Sequence, residues 1–123
     1  MTIGAAMAAL DHARPANQMG DEEKIQLLSD LDSRVFKEIF KTHEGDFEKF
    51  AGYGPLTDPD TRLLIPEPYA NVYLHYLESQ LDYRQGEIER YNNSSAAFNQ
   101  AYAEFAGWYH RTHMPIQMGP FHI

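Results

Sequence analysis

Apolar positions recur every three or four residues in four stretches of this chain, and Pro and Gly mark the gaps between them. In the first stretch Thr2 is a candidate N-cap, and Ile3, Met7 and Leu10 follow it at i, i+4, i+7 spacing. This predicts a short helix over about 2–13, closed by Pro15. The link RPANQMG leads to a second helix over about 21–42, with Asp21 as N-cap and Glu22 and Glu23 in the first turn, where the helix dipole favours negative charge. Ile25, Leu28, Leu31, Val35 and Ile39 form its stripe, widened by Leu27, Phe36 and Phe40, and Lys37 and Lys41 sit near its C-terminal end.

Periodicity then fails. The segment HEGDFEKFAGYGPLTDPDTRLLI contains three Gly and two Pro and sustains neither a helical nor a strand period, which predicts a long loop over 43–66 with at most a short strand or turn. Phe47, Phe50, Tyr53 and Leu63 to Ile65 give it apolar surface, for folding onto its own core or for ordering on a partner. A third helix over about 67–85 opens at IPEPY, because proline is tolerated in a first turn. Tyr69, Val72, Tyr73, Tyr76, Leu77 and Leu81 keep helical spacing, with Leu74 broadening the face. Gly86 interrupts the run, and the pattern resumes with Ile88, Tyr91, Ser95, Phe98, Tyr102, Phe105 and Tyr109 in a fourth helix over about 87–112. So short a break makes the last two helices an antiparallel hairpin.

The expected fold is therefore all-α: a bundle of about four helices over 1–113 with a C-terminal hairpin and a long irregular loop, followed by an extended arm over 114–123. In the arm, MPIQMGPFHI, Pro115 stops the helix, and Met114, Pro115, Ile116, Met118, Pro120 and Phe121 supply apolar or rigid anchors with no period of their own. An extended segment of this kind suits docking on a neighbouring protein or subunit.

Composition narrows the function. At 123 residues the chain suits one domain, and no apolar run approaches the roughly 20 residues of a bilayer span, so a soluble protein without membrane contact is expected. The first residues lack the basic flank of a secretory signal, and zero cysteines exclude disulfides and thiolate metal sites; a cytosolic site of synthesis is the default. A formal charge of −8 with ten scattered Lys and Arg argues against a sequence-independent grip on nucleic acid. Nine acids face four basic residues between Asp21 and Glu48, as a solvated helix face or as a surface past which DNA slides without sticking.

Tyrosine suits sites buried at one end and wet at the other. Tyr69, Tyr73, Tyr76, Tyr83, Tyr91, Tyr102 and Tyr109 are more than one small core accommodates, so Tyr69, Tyr73, Tyr76, Tyr102 and Tyr109 divide between the core and an interface with another copy. Catalytic constellations are not seen: there is no G-x-S-x-G, phosphate loop, H-E-x-x-H or cysteine nucleophile. His75 with Glu78, and His110 with His113, each stand one helical turn apart, but the order His-x-x-Glu lacks the matching carboxylates of a helical di-metal site. No enzyme activity, cofactor or metal is expected.

The runs TIGAAM, DEEKIQLLSDLDSRVFKEIFKTHEG, and above all LIPEPY, YLHYLESQLDYRQGEIERYNNS and RTHMP resemble the small helical head-tail connector, or adaptor, proteins of tailed bacteriophages and prophages. The resemblance spans nearly the whole chain. It implies a virion structural protein of the neck, assembled in the host bacterial cytoplasm as a ring, usually of twelve subunits, below the portal protein. Such a ring extends the DNA tunnel toward a stopper or tail-completion protein, and double-stranded DNA passes without specific binding. The C-terminal arm would then reach the portal. As an alternative, GEIERYNNSSAAFNQAYAEF resembles one unit of a TPR-like interaction module, although no second 34-residue copy accompanies it.

Overall fold

The computed structural model describes residues 1–41 and 50–113. It is all-α, with helices α1 (Ile3–Ala13), α2 (Asp21–Val35), α3 (Asn71–Arg84) and α4 (Ile88–Thr112), and no strand among the described residues. The expected arm, with Met114, Pro115, Ile116, Met118, Pro120 and Phe121, lies outside the described residues, as does 42–49 of the expected loop.

α1 starts as the sequence predicts. Thr2 is extended, and its Oγ1 accepts from the Ala5 amide at 3.1 Å. Two more of the amides that a helix start leaves unpaired are met from across the molecule: Ile3 N donates to Thr61 O at 3.0 Å, and Gly4 N donates to Pro59 O at 2.9 Å. A Cβ on Gly4 would stand 3.3 Å from that same Pro59 oxygen, so the close backbone approach favours glycine. The buried face runs through Ile3, Ala6 and Leu10, with Met7 only partly covered. The expected Ile3–Met7–Leu10 stripe is thus rotated toward Ala6, whose small side chain lets α1 approach its neighbours closely.

In α2 the N-cap is Gly20, and Asp21 is the first helical residue rather than the cap. No side chain caps this end; Asp21, Glu22 and Glu23 fill the first turn and complement the helix dipole. Leu27, Leu28, Leu31 and Val35 are buried, while Ile25 is only partly so. A π-helical turn, Phe36–Phe40, follows, in which Lys41 N reaches back five residues to Phe36 O at 2.8 Å. The wider turn rotates the register, so that Ile39 and Phe40, adjacent in sequence, both enter the core.

The third helix begins at Asn71, four residues later than its proline pattern suggests. Residues 66–70 instead form a turn with a cis Glu67–Pro68 bond, closed by Tyr69 N donating to Pro66 O at 2.9 Å, and the Ala70 carbonyl accepts from Tyr73 N in the first turn of α3 at 3.1 Å. α3 packs against α1, α2 and α4, and it buries residues on more than one side (Val72, Tyr73, Leu77 and Leu81, but also Ser79 and Asp82), as a surrounded helix must. It ends in a Schellman motif: Gly86, at φ 70°, donates to Tyr83 O at 3.2 Å, and Glu87 N donates to Asp82 O at 3.1 Å. The chain reverses there into α4.

α4 has 25 residues, about 37 Å of helix, and lies antiparallel along α3 for its first half. Its buried residues, Phe98, Ala101, Phe105 and Tyr109, begin ten residues into the helix and run toward its C-terminal end. Ile88, Tyr91 and Ser95, which the sequence pattern places on the same stripe, are not buried; among the described residues α3 is the helix that packs along α4. Beyond α3 the second half of α4 meets Phe40 and Tyr69 instead, with Phe40–Tyr109 rings 5.1 Å apart and Tyr69–Phe105 rings 6.1 Å apart. No helix among the described residues is long and apolar enough to cross a membrane.

Candidate functional site

Two buried carboxylates organise the polar interior. Asp32 lies in the register of Leu28 and Val35 on the apolar face of α2, fully buried, where an acid is costly unless every lone pair is used. Its oxygens accept from Tyr53 Oη at 2.5 Å, Tyr73 Oη at 2.6 Å and the Leu64 amide at 3.0 Å. Tyr73 Oη in turn accepts from the Ile65 amide at 2.7 Å. One carboxylate thereby ties the irregular segment 53–65 to α2 and α3. Burial raises the Asp32 pKa above the usual carboxylate value, opposed by those three hydrogen bonds, and burial beside Asp32 pushes both tyrosine hydroxyls up as well. Ser29, one turn earlier, accepts from Tyr53 N at 3.0 Å, and Gly52, at φ 87°, passes so close that a Cβ there would stand 2.9 Å from Ser29 Oγ.

Asp82, the second, meets a cation. Arg14, just beyond α1, donates to it bidentately at 2.8 and 3.1 Å and to Glu78 at 2.9 Å, and Ser94 Oγ on α4 donates at 2.9 Å. The Arg14 hydrogen bonds hold the Asp82 carboxyl below its usual range. A cleft lies beside this group, lined by Arg14, His75, Glu78, Arg90, Asn93 and Ser94. Its chemistry is that of an ion-pair strut: a carboxylate stabilised by a guanidinium is a poor base for the serine that it touches. Glu78, drawn in the sequence as a metal partner for His75, is engaged by Arg14. His113 stacks on Tyr109 with ring centres 3.7 Å apart, and no group of three or more His, Asp or Glu among the described residues is placed to hold a metal ion. Lys24, a buried cation on α2, is satisfied by Asp11 at 2.8 Å.

The five tyrosines singled out for core or interface fall into two groups. Tyr73 and Tyr109 are buried. Tyr69, Tyr76 and Tyr102 are half-buried: Tyr69 packs on Trp108 at 5.2 Å, Tyr76 on Phe98 at 5.1 Å, and Tyr102 lies under the Arg34 guanidinium at 4.7 Å, its hydroxyl pKa pushed up to about 12 by burial. The large apolar side chains exposed among the described residues are elsewhere: Leu56 (100 %), Ile88 (73 %) and Tyr83 (67 %). Tyr83 and Ile88 flank the α3–α4 turn and, with Gly86, Glu87 and Tyr91, line a second groove, in which the Tyr83 and Tyr91 rings stand 5.5 Å apart. Periodicity cannot identify these exposed positions, since Ile88 sits in step with the buried stripe of α4. Comparison of the chain with protein-family models, with curated proteins and with solved structures yields no match, so the site is described by its geometry.

Proposed function

We propose that this chain is a structural subunit of a bacteriophage or prophage neck, a head-tail connector that assembles into a ring beneath the portal. The observation that carries this reading is the run from LIPEPY through YLHYLESQLDYRQGEIERYNNS to RTHMP, of which residues 71–112 form the α3–α4 hairpin. Two features support it. The net charge of −8 per chain would give a ring of about twelve copies a strongly acidic character, suited to a channel that repels DNA phosphate. The two buried carboxylates hold elements together, Asp32 tying the 53–65 segment to α2 and α3 and Asp82 tying Arg14 to α3 and α4.

In this role the ring wall is built from the helices, the arm over 114–123 docks on the portal, and a stopper or tail-completion protein binds the opposite face. Double-stranded DNA passes without a specific contact. The location is the virion neck, reached from the bacterial cytoplasm. Electron microscopy of the full chain mixed with the portal protein encoded beside it is the test. Rings seated on the portal are expected, and removing residues 114–123 should abolish the seating while leaving the melting temperature nearly unchanged. Only monomers or simple dimers in every such mixture would overturn the proposal.

A further inference from the structure

The groove at the α3–α4 turn holds one charge without a counter-charge. Tyr83, Ile88 and Tyr91 give it an apolar wall, and its backbone is fixed by the Schellman motif at Gly86 and by Tyr91 N donating to Glu87 O at 2.8 Å. Three ionised side chains share the lining. Asp82 is buried and forked by Arg14, and Arg84 is bonded to Glu23 of α2. Glu87 is exposed, and its carboxylate makes no ion pair among the described residues; Arg90, three residues on, lines the cleft beside Arg14. Two of the three charges are thus cancelled by their partners, and one carboxylate is left beside exposed aromatic rings.

From this arrangement we infer that the groove takes an arginine side chain of a partner protein, with the guanidinium plane on a tyrosine ring, its fork on Glu87 and its methylene stem along Ile88. Each part of that side chain finds its match. A tyrosine face attracts a cation, and arginine, being planar and weakly hydrated, stacks there more readily than lysine. A carboxylate accepts both arms of a guanidinium. The aliphatic stem covers apolar surface that water otherwise meets. The Tyr83 and Tyr91 rings, 5.5 Å apart and tilted by 55°, leave no room between them, so the cation lies on an outer ring face. An anionic group would be repelled by Glu87, and a purely apolar one would cover its charge without pairing it. This contact does not require a ring and is independent of the neck proposal.

The test is a titration of the full-length protein, its tyrosine rings isotope-labelled, with the end-capped peptide Gly-Ser-Arg-Ser-Gly at low salt, read from the NMR shifts of the Tyr83 and Tyr91 rings. Both rings should shift saturably in the millimolar range. Replacing the peptide's arginine by citrulline, which keeps the shape and removes the charge, should weaken binding on the order of tenfold. Glu87→Gln should weaken it about threefold, whereas Glu89→Gln, an equal change of charge at an exposed position outside the groove, should have less than half that effect. No ring shift, equal binding of the citrulline peptide, or equal losses from Glu87→Gln and Glu89→Gln would overturn the assignment. Free arginine, whose own carboxylate is repelled by Glu87, should bind no better than the capped peptide. Tighter binding of the free amino acid would make the groove a small-molecule site and overturn the partner protein as its source.

Discussion

Asp32 and Asp82 are both fully buried aspartates on helices, and the protein stabilises them in opposite ways. Asp32 is surrounded by neutral donors, two tyrosine hydroxyls and one amide, and its charge is opposed by desolvation. Asp82 is covered by Arg14, which is itself 23 % exposed, so the pair sits at the rim of the core where water still reaches the cation. The first arrangement positions an irregular segment with great specificity and leaves a carboxyl whose pKa burial holds above its usual value. The second is a strut between α1, α3 and α4 and leaves a carboxyl that resists protonation. A buried acid thus marks either a loop that must be held or a helix that must be docked, and its partners tell which.

The largest effect should come from breaking the first arrangement. Asp32→Ala leaves two hydroxyls and an amide without their acceptor, and at about 1–3 kcal/mol for each orphaned group the loss should reach about 4 kcal/mol, measured by urea denaturation. Asp32→Asn, which keeps one acceptor oxygen, should lose clearly less. Next comes Arg14→Ala, expected to cost about 3 kcal/mol because it strands a buried carboxylate; a double change of Arg14→Met and Asp82→Leu should be milder than Arg14→Ala alone, as coupled charges require. A double change no better than the single one would mean that Arg14 acts through packing, and the contrast with Asp32 would lose its basis.

Acid titration sharpens the contrast further, with smaller effects of opposite sign. The folded pKa of Asp32 lies above its usual value of 3.8, so its contribution is lost as pH rises from 3.8 through that raised value, and acidification toward 3.8 restores stability relative to Asp32→Asn. The folded pKa of Asp82 lies below 3.8, so its contribution is present above 3.8 and lost as pH falls through the lowered value, and the parent should lose stability there relative to Asp82→Asn. Melting curves collected from neutral pH down through 3.8 should therefore diverge in opposite directions for the two variants. The smallest effect is expected from Leu56→Asp, which should change the stability of the isolated subunit by no more than about 0.5 kcal/mol, since its side chain touches nothing to lose.

Much of the fold is legible because it follows helical periodicity. The stripe Leu28–Leu31–Val35–Ile39, the Thr2 cap and the Gly86 break all stand where the pattern puts them. The misplaced details arise where another force outweighs periodicity: the 66–70 turn, closed by Tyr69 N on Pro66 O, comes before α3, and among the described residues no second helix covers Ile88. Asp32 had a signal, its place in step with Leu28 and Val35, but among the nine acids between 21 and 48 it reads as one more solvated charge. The Arg14–Asp82 strut had none, since its halves are 68 residues apart. Nor does any period reveal that Leu56 is left outside.

That same separation sets an order on how the molecule is made. During translation α1 emerges first, yet Thr61, which receives its first amide, and Asp82, which anchors its far end, come much later. At typical synthesis rates the helix waits roughly 3–14 seconds for its last anchor, a gap of 68 residues, with α2 the one neighbouring helix made in the meantime. The α3–α4 hairpin, whose contacts are local, can close as soon as it is made, so α1 is the segment to dock last and the one on which a nascent-chain chaperone would find its foothold.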